Sequence, residues 1–143
     1  MMLSLQEISD RLEIQDLMVR YCHAVDTRQW DLLDEVFTED ALIDYTATGG
    51  ARGNLAEIKE FLAEVLPAFP AFQHLIANPA ISVDGDAATG RTMCHNPLVL
   101  PDGGVLICGF WYVDAFVRVD GTWRIKERVE EASYSCTVPP PPT

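Results

Sequence analysis

The sequence has few basic residues and no cluster of them. Ten lysines and arginines stand against 22 aspartates and glutamates, which gives a formal net charge of −12 at pH 7. Nucleic-acid backbones and anionic lipid headgroups repel a surface of this sign. The composition therefore argues against nucleic acid and membrane surfaces as partners.

The sequence also has no long apolar run, and we expect no secretory leader. No stretch approaches the roughly 18 apolar residues of a membrane-spanning helix. Residues 1–7 contain no basic segment followed by an apolar one, which is the pattern of a signal peptide. We therefore expect a soluble, cytoplasmic protein.

Motifs for metals, disulfides and phosphates are absent as well. The four cysteines, Cys22, Cys94, Cys108 and Cys136, have no C-x-x-C spacing, and there is no H-E-x-x-H or P-loop pattern. Such spacings are typical of zinc sites and of nucleotide sites. We expect reduced cysteines that pack as small hydrophobic residues, and no metal site.

Helical periodicity dominates the first half of the chain. A capping-box pattern at Ser4 precedes apolar residues at steps of three and four, which predicts a helix that ends at Asp26 or Thr27. A second, shorter apolar stripe covers residues 30–37, and a short strand is expected at 41–46. A third helix is predicted to begin after Asn54 and to stop before Pro67.

The second half of the chain has the alternation of strands. Extended stretches at 71–83, 87–100, 105–119 and 122–134 are separated by turn sequences, which predicts an antiparallel meander. Pro97 predicts an edge position or a bulge in the second stretch. The proline-rich residues 137–143 are expected to form a mobile tail.

Together these elements predict one α+β domain over residues 1–136. The helices have apolar faces that only a curved sheet can cover. Long, bent, mostly antiparallel strands wrapped around the N-terminal helices would form a cone-shaped barrel. Its interior would be a largely apolar pocket, which is the usual place for a small ligand.

One histidine in an apolar run, His74, is the most informative polar residue. A buried histidine needs partners for its ring nitrogens, and a carboxylate partner keeps the ring oriented and basic. Asp26, at the junction of the first two predicted helices, lies beside the core. The sequence predicts that these two residues pair; the alternative is that His74 is a core histidine without a function.

Several short motifs, in their order and spacing, resemble the SnoaL-like group of the nuclear-transport-factor-like superfamily, and within it scytalone dehydratase. The resemblance runs from Leu12 to about Val129. The motifs are YCHAVD at 21–26, WD and Leu33 at 30–33, VFTEDA at 36–41, IDY at 43–45, QHLI at 73–76, VDGDA at 83–87, YVD at 112–114 and VDGTWRI at 119–125.

This resemblance implies an oligomer that works without a cofactor. Scytalone dehydratase-like enzymes remove water from a hydroxylated aromatic ketone, using a histidine held by an aspartate and tyrosines that bind a water near the carbonyl. The matching positions are His74, Asp26 and Tyr45. The second tyrosine falls on Val25 and the second histidine near Leu98, and these departures argue against scytalone itself as the substrate.

Further substrate contacts are expected at positions that match the family's pocket or lie next to it. His95 and Asn96 compete for the place of the second pocket histidine, and aromatic residues would suit a flat or cyclic ligand. The six positions are Val25, His95, Asn96, Leu98, Phe110 and Tyr112. His23, three residues before Asp26, is a weaker candidate for the same pocket.

Two functions of different classes fit these residues. The first is a cofactor-independent lyase or isomerase acting on a small cyclic or aromatic hydroxy-ketone, with His74 as general acid and base, Asp26 as its orienting partner and Tyr45 as a donor to the carbonyl oxygen. The second is a non-catalytic binding or assembly subunit of the same fold, resembling the small subunits of ring-hydroxylating dioxygenases. In both cases we expect a homo-oligomer, a dimer or a trimer, that binds a small apolar or aromatic molecule.

Overall fold

The computed structural model of the protein describes residues 1–143. Two α-helices and six β-strands follow one another along the chain, with short 3-10 helices at Trp30–Glu35, Thr46–Thr48 and Leu66–Ala68. The elements are α1 (Leu5–Asp26), β1 (Phe37–Asp44), β2 (Arg52–Gly53), α2 (Leu55–Val65), β3 (Leu75–Asp84), β4 (Ala87–Val99), β5 (Val105–Val119) and β6 (Thr122–Val138). Neither α-helix combines the length and the hydropathy that crossing a membrane requires.

All six strands belong to one sheet in the order β2-β1-β6-β5-β4-β3. Strands β3 to β6 form the expected antiparallel meander, and β1 joins β6 in parallel. This confirms the cone-like α+β fold with a mostly antiparallel sheet. The sheet does not close into a complete barrel, because β2 and β3 remain its two edges.

Several element boundaries differ from those predicted: β1 ends at Asp44 rather than at 46, and β3 begins at Leu75 rather than at 71. The apolar stripe at 30–37 forms a 3-10 helix only to Glu35, and β1 begins at Phe37, because Phe37 pairs with Ile125 of β6 and the Ile125 N–H donates to Val36 O. At the other end, β6 extends to Val138, which pairs with Val105. Residues 137 and 138 are therefore part of the sheet rather than of the tail.

The prediction of an edge position or a bulge at Pro97 was wrong. Pro97 lies in β4, an inner strand whose pairing with β5 is regular throughout. The Gln73 N–H donates to Pro97 O, and a residue other than proline would return a hydrogen bond to Gln73 O. The Asn96 side-chain amide donates to Gln73 O instead, at 2.8 Å.

The core lies between α1 and the concave face of the sheet. Three of its largest fully buried side chains are Tyr21 of α1, Tyr112 of β5 and Trp123 of β6. A buried carboxylate, Asp10, ties α1 to the end of the meander, since it accepts hydrogen bonds from Trp123 Nε1 and from the Arg118 guanidinium. The opposite end of α1, at Asp26, remains next to the open side of the cone, where the candidate site lies.

Candidate functional site

His74 and Asp26 are in direct contact, as the sequence predicts. His74 Nδ1 lies 2.6 Å from Asp26 Oδ1, and the backbone N–H of His74 donates to Asp26 Oδ2 at 3.1 Å. One carboxylate thus fixes both the backbone and the ring of the same residue. The side chain of His74 is 8% exposed and that of Asp26 is 25% exposed.

This contact determines which ring nitrogen of His74 is free. A carboxylate only accepts hydrogen bonds, so the hydrogen of the neutral ring must be on Nδ1. Nε2 then carries the lone pair, and the structure shows no protein partner for it. His74 also lines a cavity, so its ring lies beside the space that a bound molecule would fill.

The cavity lies between α1, α2 and the concave face of the sheet and has a volume of about 210 Å³. Twelve of its 18 lining residues are hydrophobic. An apolar cavity of roughly 150 Å³ accommodates a benzene ring, so this one suits a ligand of one or two rings. The predicted residues that line it are Val25, Tyr45, His74, Asn96, Leu98 and Phe110.

Two tyrosine hydroxyls meet at the cavity. The hydroxyl oxygens of Tyr21 and Tyr45 lie 2.6 Å apart, and both residues are buried. Burial raises the pKa of both phenols, which keeps them protonated. One O–H donates to the other tyrosine, and the second O–H is not used within this pair. Tyr21, one turn before Val25 on α1, was not predicted and supplies the second hydroxyl that Val25 lacks.

Glu130 of β6 is a further residue that sequence reasoning missed. It is 7% exposed and lines the cavity, and Thr48 donates to its Oε2. Burial raises the pKa of Glu130 to about 7, although the hydrogen bond from Thr48 and the charge of Arg128 act in the opposite direction. The cavity therefore contains a carboxyl group that changes its charge near neutral pH.

A buried ion pair lies behind the tyrosines. Arg128 donates to both oxygens of Asp114, at 2.7 and 2.8 Å, and both residues are buried. The guanidinium carbon lies 4.2 Å from the ring centre of Tyr21 and 3.8 Å from that of Tyr112. Arg128 thus supports the rings that form the cavity wall without lining the cavity itself.

The placement of three predicted residues requires correction. His95 lies on the outer face of β4, because strand alternation puts Cys94 and Asn96 on the inner face, and its ring contacts the Tyr134 hydroxyl at 3.1 Å. Tyr112 is 1% exposed and sits behind the cavity wall. His23 is exposed on α1 and is not part of the cavity lining.

A local irregularity explains why Glu130 and Arg128 were missed. Strict alternation from Trp123 and Ile125 would turn Val129 inward and Arg128 outward. The register of β5 and β6 shifts beside Ile125, where one extra residue reverses the facing of residues 127–132, up to a second shift between Ala132 and Tyr134. Residues 126–131 are charged except for Val129, and Val129 continues the alternation set by Trp123 and Ile125, so the sequence gave no signal of that shift.

Comparisons with known proteins agree with this architecture. The model of the SnoaL-like domain family matches residues 6–129. The uncharacterised protein Rv2910c from Mycobacterium tuberculosis is 52% identical over 135 residues, which covers 93% of this chain and 92% of that protein.

Solved structures give the same result. A provisionally named aromatic ring hydroxylase from Novosphingobium aromaticivorans is 32% identical, with a TM-score of 0.83 over 92% of this chain and 94% of the other. An NTF2-like superfamily protein from Salmonella enterica has the same fold at 22% identity, with a TM-score of 0.75 over 86% and 90% of the two chains. The family match confirms the resemblance seen in the sequence, and the fold is that of NTF2-like proteins: this chain belongs to the SnoaL-like domain family.

Proposed function

We propose that the protein is a cofactor-independent lyase or isomerase that acts on a small cyclic or aromatic hydroxy-ketone. The observation that carries this proposal is the His74–Asp26 contact at a largely apolar cavity. A carboxylate that holds a histidine in one tautomer, with the other nitrogen facing a ligand site, is the arrangement of a general base. The resemblance to scytalone dehydratase-like enzymes supports the same class of reaction.

The proposed reaction begins with proton abstraction. His74 Nε2 takes a proton from the carbon beside the ligand's carbonyl, and the electron pair of that C–H bond forms an enolate. The free hydroxyl of the Tyr21–Tyr45 pair donates to the enolate oxygen, where a fixed donor stabilises developing charge. Asp26 stabilises the imidazolium that forms.

Two outcomes follow from the same enolate. In a dehydration, the enolate expels the hydroxyl group on the β carbon, and that group leaves as water with the proton from His74. In an isomerisation, the proton returns to a different carbon of a conjugated enolate. Both outcomes restore the neutral ring of His74 and need no external oxidant or reductant.

The direct test is turnover of simple ketones of the right size. β-Hydroxytetralone loses water to give a naphthol, which is detected by fluorescence. A β,γ-unsaturated cyclohexenone gives its conjugated isomer, which is detected by ultraviolet absorption. We expect the wild type to accelerate at least one of these reactions over buffer.

A matched pair of histidine variants tests the residue assignment. His74→Asn should lower kcat by about 10²- to 10⁴-fold, the usual contribution of a general acid or base. His95→Asn, on the outer face of the sheet, should leave kcat unchanged. Equal rates for the two variants would contradict the role assigned to His74.

The second candidate is a binding or assembly subunit without chemistry of its own. The name of the Novosphingobium relative, which refers to aromatic ring hydroxylation, is the observation that favours it. Under this alternative the wild type binds the ketone probes in a calorimetric titration but converts none of them. His74→Asn would then change only the affinity.

A further inference from the structure

The cavity has a second polar group that the proposed reaction does not use. Glu130 lies far from His74 in the sheet: His74 immediately precedes β3, and Glu130 lies on β6, three strands away. Thr48, which binds Glu130, follows β1 on the far side of β6. Hydrophobic residues, among them Leu106 and Phe110, make up most of the wall around these polar groups.

One oxygen of Glu130 is left for a ligand. Oε2 accepts a hydrogen bond from Thr48. Oε1 has no protein partner, and it is accessible to solvent. The adjacent cation on the same face of β6, Arg128, is already paired with Asp114 through Nε and Nη2. Glu130 is therefore not a member of an ion pair.

The surroundings of Glu130 bring the pKa of its carboxyl group close to neutral pH. Burial is the largest influence on its pKa and raises it to about 7. The charged and titratable groups that act on Glu130, or that Glu130 acts on, are Arg128, Asp114, Tyr112 and Cys108 from the central strands, Cys94 from β4, Asp44 and Tyr45 from the β1 side, and Tyr21 from α1.

We propose that Glu130 Oε1 binds a hydroxyl group at the end of the ligand remote from His74, so that the cavity selects cyclic compounds with a carbonyl at one end and a hydroxyl at the other. A hydroxyl both donates and accepts, so it suits the neutral acid and the carboxylate alike. A ligand carbonyl or ether would suit only the neutral acid. This inference rests on the proposed function, which places the carbonyl end of the ligand beside His74 and the tyrosines.

The test compares two ligands that differ in one group. para-(Hydroxymethyl)acetophenone carries a hydroxyl that does not ionise, and para-ethylacetophenone has nearly the same shape without it. In calorimetric titrations at pH 6, wild type should bind the hydroxymethyl compound about 10-fold more tightly, which is the value of one well-made hydrogen bond in a dry site. Glu130→Leu should abolish the preference, and Glu130→Gln, whose amide both donates and accepts, should keep it.

The dependence on pH gives a second measurement. Binding of para-ethylacetophenone to wild type should weaken as the pH rises through about 7, because an ionised Glu130 would be buried against an apolar group. In Glu130→Gln this affinity should not change with pH. Thermal unfolding of each variant confirms that it is folded before binding is measured.

Failure of this inference is distinguishable from failure of the proposed function. Neither probe has a hydroxyl β to its carbonyl, so neither is dehydrated and the titrations report binding alone. Equal affinities of wild type for the two probes, a preference that persists in Glu130→Leu, or no binding of either probe would overturn the role of Glu130. Loss of ketone turnover in His74→Asn would remain a separate result.

Discussion

At the scale of single residues, the two oxygens of Asp26 hold two different groups of His74. One oxygen accepts the backbone N–H and the other meets ring Nδ1. The backbone contact sets where the residue sits and the ring contact sets its tautomer. Asparagine has only one accepting oxygen, so it cannot reproduce both contacts.

The tautomer can be measured directly. In ¹⁵N-labelled wild type, NMR at alkaline pH should show His74 with its hydrogen on Nδ1 and a lone pair on Nε2. Asp26→Asn offers an N–H to Nδ1 and should shift the ring toward the Nε2–H form, which removes the base from the cavity. His95, which is exposed, serves as an internal reference within the same spectra. An unchanged His74 tautomer in Asp26→Asn would contradict this account.

The Arg128–Asp114 pair gives a residue-scale prediction about stability. Both side chains are almost completely inaccessible, so Asp114→Asn leaves a buried guanidinium without its counter-charge. We expect a loss of about 3–5 kcal/mol in the free energy of unfolding, measured by urea denaturation.

An exposed pair on the same sheet is the control. Arg91 and Glu131 lie 3.0 Å apart with side chains 49% and 51% exposed, so Glu131→Gln should cost at most about 1 kcal/mol. Similar losses for Asp114→Asn and Glu131→Gln would show that burial does not determine how much the Arg128–Asp114 pair contributes to the free energy of unfolding.

At the scale of elements, the segment that carries His74 is attached to β4 by an unusual pairing. The Gln73 N–H donates to Pro97 O and Val99 N–H donates to Ala71 O, but the return bond to Gln73 O comes from the Asn96 side chain. The side-chain bond replaces the backbone donor that proline lacks. Asn96 therefore helps to hold the residue next to His74 in place.

A pair of substitutions tests this replacement. Asn96→Leu leaves Gln73 O without a donor and should cost about 1–3 kcal/mol in the free energy of unfolding. Adding Pro97→Ala supplies a backbone N–H to the same oxygen and should recover part of that loss. The single Pro97→Ala variant measures the effect of removing proline alone, and strictly additive losses in the double variant would contradict the replacement.

The same scale shows which elements the sequence could predict. Helix α2 was predictable because Asn54 and Glu57 form a complete capping box before an apolar face. The beginning of β1 was not, because Phe37 continues a helical stripe and only its pairing with Ile125 of β6 makes it extended. The local sequence pattern predicts an element correctly when the capping residues are part of that pattern. The prediction fails when the element forms only by pairing with a strand that is distant in the sequence.

The residues of the candidate site also divide into those that the sequence predicts and those that it does not. His74, Asp26 and Tyr45 belong to motifs that resemble a known family, and the structure brings them to one cavity or beside it. Tyr21 looked like one more apolar position of α1. Glu130 looked like the outer side of an amphipathic strand, because a register shift in β6 leaves no trace in the order of charged and apolar residues.

At the scale of the whole molecule, the outer face of the sheet is partly apolar. Several large apolar side chains are exposed at or near it: Leu75 at 63%, Met93 at 38%, Tyr134 at 55% and Val138 at 47%. Apolar surface of this kind is typical of protein interfaces. A homo-oligomer stays a prediction, and sedimentation equilibrium of the wild type measures it, with a monomer at all concentrations as the contradicting result.

The pH dependence of global stability provides the last prediction. The pKa of Glu130 rises from 4.5 to about 7 on folding, so the folded protein retains a proton that the unfolded chain releases. The stability that this proton contributes is fully present below pH 4.5 and is lost as the pH rises toward 7. At 1.36 kcal/mol for each pKa unit, the loss is at most about 3 kcal/mol.

Glu130→Gln removes this loss, because its amide stays neutral at every pH. In urea denaturation the variant should gain stability relative to wild type as the pH rises from 5 toward 7, and the difference should level off above about 7. Glu131→Gln removes one negative charge from the same net charge of −12, so it controls for the general self-repulsion of an acidic protein. If both variants showed the same pH profile, the net charge rather than the buried carboxyl would explain the pH dependence.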